Sequence, residues 1–197
     1  LAEIKRPLAS MGRPDDDGIE VREVTPGDID ESGQLREGSR LIRLPEASLT
    51  KGRQQLLAPG DVLLSFKGGL GKVAVVQDLD HPTVAGQAFC VVRLRANAPL
   101  TPTALAQYLR SYVGQALLAS AGQGVTVVFV PMGEVKSLPI VIPNPSELKR
   151  AEALEKESVA LSREVEELSR RLQRLSRQGW LGDLPPALLN RDLEGSV

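Results

Sequence analysis

SELKRAEALEKESVALSREVEELSRRLQRLSRQ, residues 146–178, is the stretch whose reading decides the architecture. Leu154, Leu161, Leu168 and Leu175 recur every seven residues, and Ala151, Ser158, Val165 and Leu172 recur every seven between them. This alternation of four and three is a coiled-coil seam with leucine at the d positions. No Pro or Gly interrupts it, and the other positions are mostly Glu, Arg, Lys, Gln or Ser. Ser146 is the expected cap, Glu147 suits the positive end, and Arg170, Arg171, Arg174 and Arg177 suit the negative end. Such a helix is roughly 50 Å long. One apolar stripe on an extended helix needs a covering surface, so Leu154, Leu161, Val165, Leu168, Leu172 and Leu175 are the expected partner interface. The bland alternative is an amphipathic helix lying on its own domain, whose apolar face is ordinarily wider. The e positions are mostly Ser, which removes the ion pairs of a parallel zipper. An antiparallel pair crossing near Glu164 sets Glu157 against Arg171 of the other copy. The expected assembly is therefore an antiparallel homodimer.

The preceding sequence reads as a mixed α/β (α+β) globular domain over 1–145, followed by the coiled-coil helix 146–178 and a tail 179–197. IEVREV (19–24) alternates as a half-buried strand, and 41–44 is a second strand. GDVLLSF and VAVV flank KGGLGK (67–72), giving a hairpin with a glycine-rich loop. QAFCVVRLR (87–95) is a further strand. Thr101 followed by Pro102 starts a helix that runs to Gly122. VTVVFV (125–130) and LPIVI (138–142) are the last expected strands, and residues 77–86 are an expected loop.

Composition limits the function classes. The 197 residues carry a net charge of −1, so the whole chain has no basic signature. The charge is uneven: residues 1–35 hold four basic and nine acidic side chains, and residues 36–72 hold seven and three. One Trp, two Tyr and three Phe argue against stacking platforms for single strands. Cys90 is the one cysteine, which excludes a disulfide framework within the chain and fits a reducing cytoplasm. No apolar run reaches the roughly 18 residues of a membrane span.

Catalytic motifs are incomplete. KGGLGK has the wrong glycine spacing for a P-loop, and Val73 stands where Ser or Thr is needed after Lys72. Asn144-Pro145-Ser146 lacks the second Pro and the aromatic of an adenine-methylation loop. His81 has no evident catalytic partner, Cys90 alternates inside an apolar strand, and Asp15, Asp16 and Asp17 read as a solvated turn. The chain is expected not to be an enzyme by itself.

The order of segments is more specific than any one motif. GDVLLSFKGGLGKVAVV (60–76), GQAFCVVRLR (86–95), a helix with YLRSYVGQALL (108–118), and AGQGVTVVFVPMGEVKSLPIVIPNPSEL (121–148) lead into the heptad helix. This series resembles the specificity subunits of type I restriction-modification systems, as one target recognition domain plus one spacer helix. The resemblance implies sequence-specific recognition of double-stranded DNA and a DNA adenine methyltransferase partner, which would bring S-adenosylmethionine. A full specificity subunit has two recognition domains and two spacer helices, whereas this chain has one of each. A homodimeric half-subunit and the C-terminal region of a fused adenine methyltransferase both fit. Expected DNA contacts are Arg40, Arg43, Lys51, Arg53, Lys67 and Lys72, with Arg93 and Arg95 behind them. The competing class is a coiled-coil protein-interaction adaptor with no DNA role.

Overall fold

Short apolar runs without alternation, VLL at 62–64 and FCVV at 89–92, imply strands covered on both faces. The computed structural model bears this out; it describes residues 1–7, 18–30, 32–36, 40–44, 55–124 and 128–178. A four-stranded antiparallel sheet has the order β1 (Ala2–Lys5), β7 (Phe89–Leu94), β4 (Val62–Ser65), β5 (Val73–Val75). Val62, Leu64, Cys90 and Val92 point to one side of it, into a core shared with Leu105, Leu109, Leu118 and Val130. Leu63, Phe89 and Val91 point to the other side, where they meet Val24, Ile29 and Ala85. Val24 and Ala85 belong to a second sheet, order β3 (Arg40–Leu44), β2 (Ile19–Val24), β6 (Thr83–Ala85). β2 pairs antiparallel with β3 and parallel with β6. The head is thus layered as helices, four-stranded sheet and three-stranded sheet.

The hairpin β4–β5 forms as its sequence dictates. Gly60, at φ +86°, turns the chain, and Asp61 Oδ2 accepts the Ala58 N–H at 2.9 Å. The glycine loop is equally defined. Ser65 Oγ donates to the Gly69 carbonyl and accepts the Lys72 N–H at 2.8 Å.

Three expectations fail for local reasons. The expected loop 77–86 contains β6, which, like β1, finds a ladder partner distant in sequence. The single helix over 101–122 is two, α1 (Pro102–Arg110) and α2 (Tyr112–Ala121). Thr101 caps α1, accepting the Ala104 N–H at 3.3 Å. Ser111 adopts an extended conformation between them and accepts the Gly114 N–H at 3.2 Å, so it caps α2. Tyr112 and Val113, which an unbroken helical period from Leu105 and Leu109 would put on the core face, are exposed. LPIVI is not a strand. Pro139 and Pro143 cannot donate to a ladder, and Val141 and Ile142 face solvent. A short helix, α3 (Met132–Ser137), lies just before it. Of VTVVFV, residues 125–127 lie outside the described set, and Phe129 forms isolated bridges to Lys67 and Gln123.

Gly114 marks the closest approach of α1 and α2. A Cβ there would stand 2.2 Å from the Tyr108 carbonyl oxygen and 2.7 Å from that of Leu109. Gly114→Ala must push backbone apart, and it is expected to cost roughly 1–3 kcal/mol. A urea midpoint no lower than wild type would refute that packing.

The last helix, α4 (Pro145–Gln178), begins at Pro145. Asn144, rather than Ser146, caps it: Asn144 Oδ1 accepts the Ser146 and Glu147 N–H groups at 3.0 Å each, while Glu147 Oε2 accepts the Asn144 N–H at 2.8 Å. This is a reciprocal capping box. The chain divides into two compact units, Leu1–Glu157 and Ser158–Val197. The first turns of α4 therefore belong with the head, later than the expected boundary at 146. In the second unit Leu161, Val165, Leu168, Leu172 and Leu175 are each more than half exposed; Leu154, in the first unit, is 51 % exposed. The tail 179–197 lies outside the described residues.

Candidate nucleic-acid interface

Basic residues of the head sort by what their cations touch. Arg40 and Arg43 lie on β3 directly opposite Glu23 and Glu20 of β2. Arg40 donates to buried Glu23 at 2.9 Å, and Arg43 stands 3.8 Å from exposed Glu20. Both remain at the surface, with part of their charge offset by the neighbouring strand. Lys51 and Arg53 lie outside the described residues.

Lys72 departs from its expected role at the base of an open loop. Its ammonium donates to the Pro26 and Ile29 carbonyls at 3.0 Å each. That fastens the glycine loop to the short 3-10 turn Pro26–Asp28, so this cation serves the fold. Lys67, five residues earlier, is half-buried, and its Nζ sits 5.9 Å over the Phe66 ring. Arg93 is also claimed internally. Its guanidinium donates twice to Asp61, at 2.6 Å each, and the carboxylate is 1 % exposed. The hydrogen bond to Asp61 holds the Arg93 pKa above its ordinary value, against the smaller opposing effect of burial. Arg95 is exposed at the end of β7.

Arg110 was not singled out by its sequence. It ends α1, donates to the Ser32 carbonyl at 2.9 Å, and pairs with Glu155 of α4 at 2.5 Å. It ties the first turns of α4 to the head and to the segment after the 3-10 turn. Beside it, Gln115 donates to the Gly71 and Leu109 carbonyls at 3.0 and 2.7 Å. Gly71, at φ +83°, leaves room for that amide; a Cβ would lie 2.4 Å from its oxygen.

Burial pushes the Cys90 thiol up to about 12, which leaves essentially no thiolate at neutral pH and makes it a core residue. Among the described residues no group of three or more His, Cys, Asp or Glu is placed to hold a metal ion. No helix among them is long and apolar enough to cross a membrane.

The architecture of the head and the helix that leaves it is that of a specificity-subunit domain from type I restriction-modification systems. One solved relative comes from work on complex assembly and conformational transition of the type I R-M system. It superposes with a TM-score of 0.55 at 19 % identity, over 88 % of this chain and 41 % of that one. The S subunit of a type I restriction-modification system from M. genitalium gives 0.51 at 15 % identity, over 90 % and 41 %. This chain thus spans about two fifths of the length of those two chains. No protein-family model and no curated protein matches the sequence.

Proposed function

We propose that this chain is a sequence-specific reader of double-stranded DNA in a type I restriction-modification (adenine methylation) system, without catalysis of its own. One observation carries the proposal: a head with the specificity-subunit fold runs into a single helix whose heptad seam is uncovered. Phosphate contacts would fix the register and base edges in the grooves would supply the sequence. A DNA adenine methyltransferase, as subunit or fused domain, would bind S-adenosylmethionine and flip the target base. The seam residues Leu154, Leu161, Val165, Leu168, Leu172 and Leu175 suit a second copy running antiparallel. Two-fold symmetry would then impose a palindromic split site. Among the basic residues Lys67, Arg40 and Arg43 are retained as contacts in this reading, together with Lys51 and Arg53; Lys72 is assigned to the fold.

Selection from a random duplex library by the purified chain, at about 50 and 150 mM salt, tests it. The expected result is an enriched motif in two half-sites and binding that falls steeply with salt. No retention at either salt, with or without added methyltransferase, would favour the adaptor class instead.

A further inference from the structure

Three strand ends meet at one edge of the four-stranded sheet. In β1, Lys5 lies opposite Val91 of β7, so Arg6 leaves the strand toward Gln87. In β4, Ser65 lies opposite Phe89, so Phe66 and Lys67 leave toward the same end. The chain between α2 and α3 closes the third side. Lys67 bridges Phe129, the Val130 N–H donates to the Phe66 carbonyl at 2.8 Å, and the Phe66 N–H donates to the Ala88 carbonyl at 2.9 Å. Between these segments lies an open groove of about 460 Å³. Arg6 and Lys67 line it, and among the described residues no carboxylate does. Phe66 and Phe129 form apolar walls, Phe129 remaining 40 % exposed, and Gln87 adds an amide.

We propose that this groove is where the head holds duplex DNA, with backbone phosphates on Arg6 and Lys67 and a base edge at Gln87. The inference rests on the DNA-reading function above and locates it. Charge complementarity selects the occupant. Elsewhere on the head Arg93 and Arg110 each pair with an acidic side chain, and Lys72 is spent on carbonyls. Among the described residues neither Arg6 nor Lys67 forms an ion pair, and both border the same acid-free concavity. An acidic peptide would also meet two cations. The DNA-reading function on which the inference rests selects the duplex, and the amide at position 87 suits a base edge. Apolar walls suit sugars and the thymine methyl.

The test is a fluorescence-anisotropy titration of the whole chain with duplex DNA over a salt series. Arg6→Ala and Lys67→Ala are each expected to weaken binding to every duplex and to lower the log–log salt slope by about 0.9. Between about 50 and 200 mM salt each variant should therefore lose about 3.5-fold less affinity than wild type. Lys67→Arg should keep the wild-type slope, which separates charge from a folding defect. Gln87→Ala should change the selected motif at one position without altering the slope. A wild-type chain that binds steeply, with both alanine variants on its curve, would overturn the groove and leave DNA reading intact. A wild-type chain that binds no duplex would overturn both.

Discussion

Leu161→Asp combined with Leu168→Asp is expected to leave the chain monomeric while its head unfolds at the wild-type urea concentration. These two d-position leucines are 55 and 56 % exposed, so about half of each side chain remains to be covered. Full burial of a leucine is worth roughly 1.5–3 kcal/mol, so the uncovered half contributes about 1 kcal/mol. Two copies place four such leucines in the seam, and their loss removes about 4 kcal/mol, close to a thousandfold in dissociation constant. The introduced carboxylates add a desolvation penalty in the same direction. Neither residue belongs to the Leu1–Glu157 unit, which is why the head should be untouched. Sedimentation across a concentration series reads the first claim, and the urea midpoint reads the second. An oligomer that survives both substitutions would mean the seam is not the contact. A wild-type chain that is monomeric at tens of micromolar would show that α4 awaits a different chain.

The long helix α4 and its apolar stripe were legible because a seven-residue period survives without any knowledge of the fold. The β4–β5 hairpin and β7 were legible for a related reason: strands covered on both faces write their burial as continuous apolar runs. β1 and β6 wrote nothing comparable. AEIK and TVA are short, and each is a strand only because a ladder partner lies far away in sequence, Ala2 opposite Leu94 and Val84 beside Glu23. The split between α1 and α2 was half legible, since Ser111 and Gly114 are a capping pair set inside an otherwise helical period. The candidate interface was the least legible part. Lys67 stood out beside its glycine loop, but Arg6, Gln87 and Phe129 join it only through strand register. Lys72 and Arg93 show the converse. Each looked available by charge, and each is drawn inward by partners from another segment. The ion pairs of Arg40 and Arg43 had a readable signal: reversed against each other, IEVREV and RLIRL align Glu20 with Arg43 and Glu23 with Arg40.

Arg93→Ala is expected to cost the head about 2 kcal/mol, less than the roughly 3–5 kcal/mol of a fully buried pair because water screens the partly exposed guanidinium. Asp61 is 1 % exposed and accepts two hydrogen bonds from Arg93 at 2.6 Å each; the Ala58 N–H is its other side-chain donor among the described residues. Removing the guanidinium leaves a carboxylate in the turn that launches β4, at the start of the central hairpin. Asp61→Asn should cost less, because the amide oxygen still accepts from Ala58 and Arg93, at 36 % exposure, can turn its charge to water. The double variant should lie near Asp61→Asn alone, since the stranded charge is gone. Urea denaturation of the three proteins gives the coupling. Costs that simply add would show that the two side chains act independently, and would return Arg93 to the set of surface cations available to DNA. A large loss of stability in Arg93→Ala, with duplex affinity unchanged under native conditions, would separate this residue's structural role from the phosphate contacts assigned to Arg6 and Lys67.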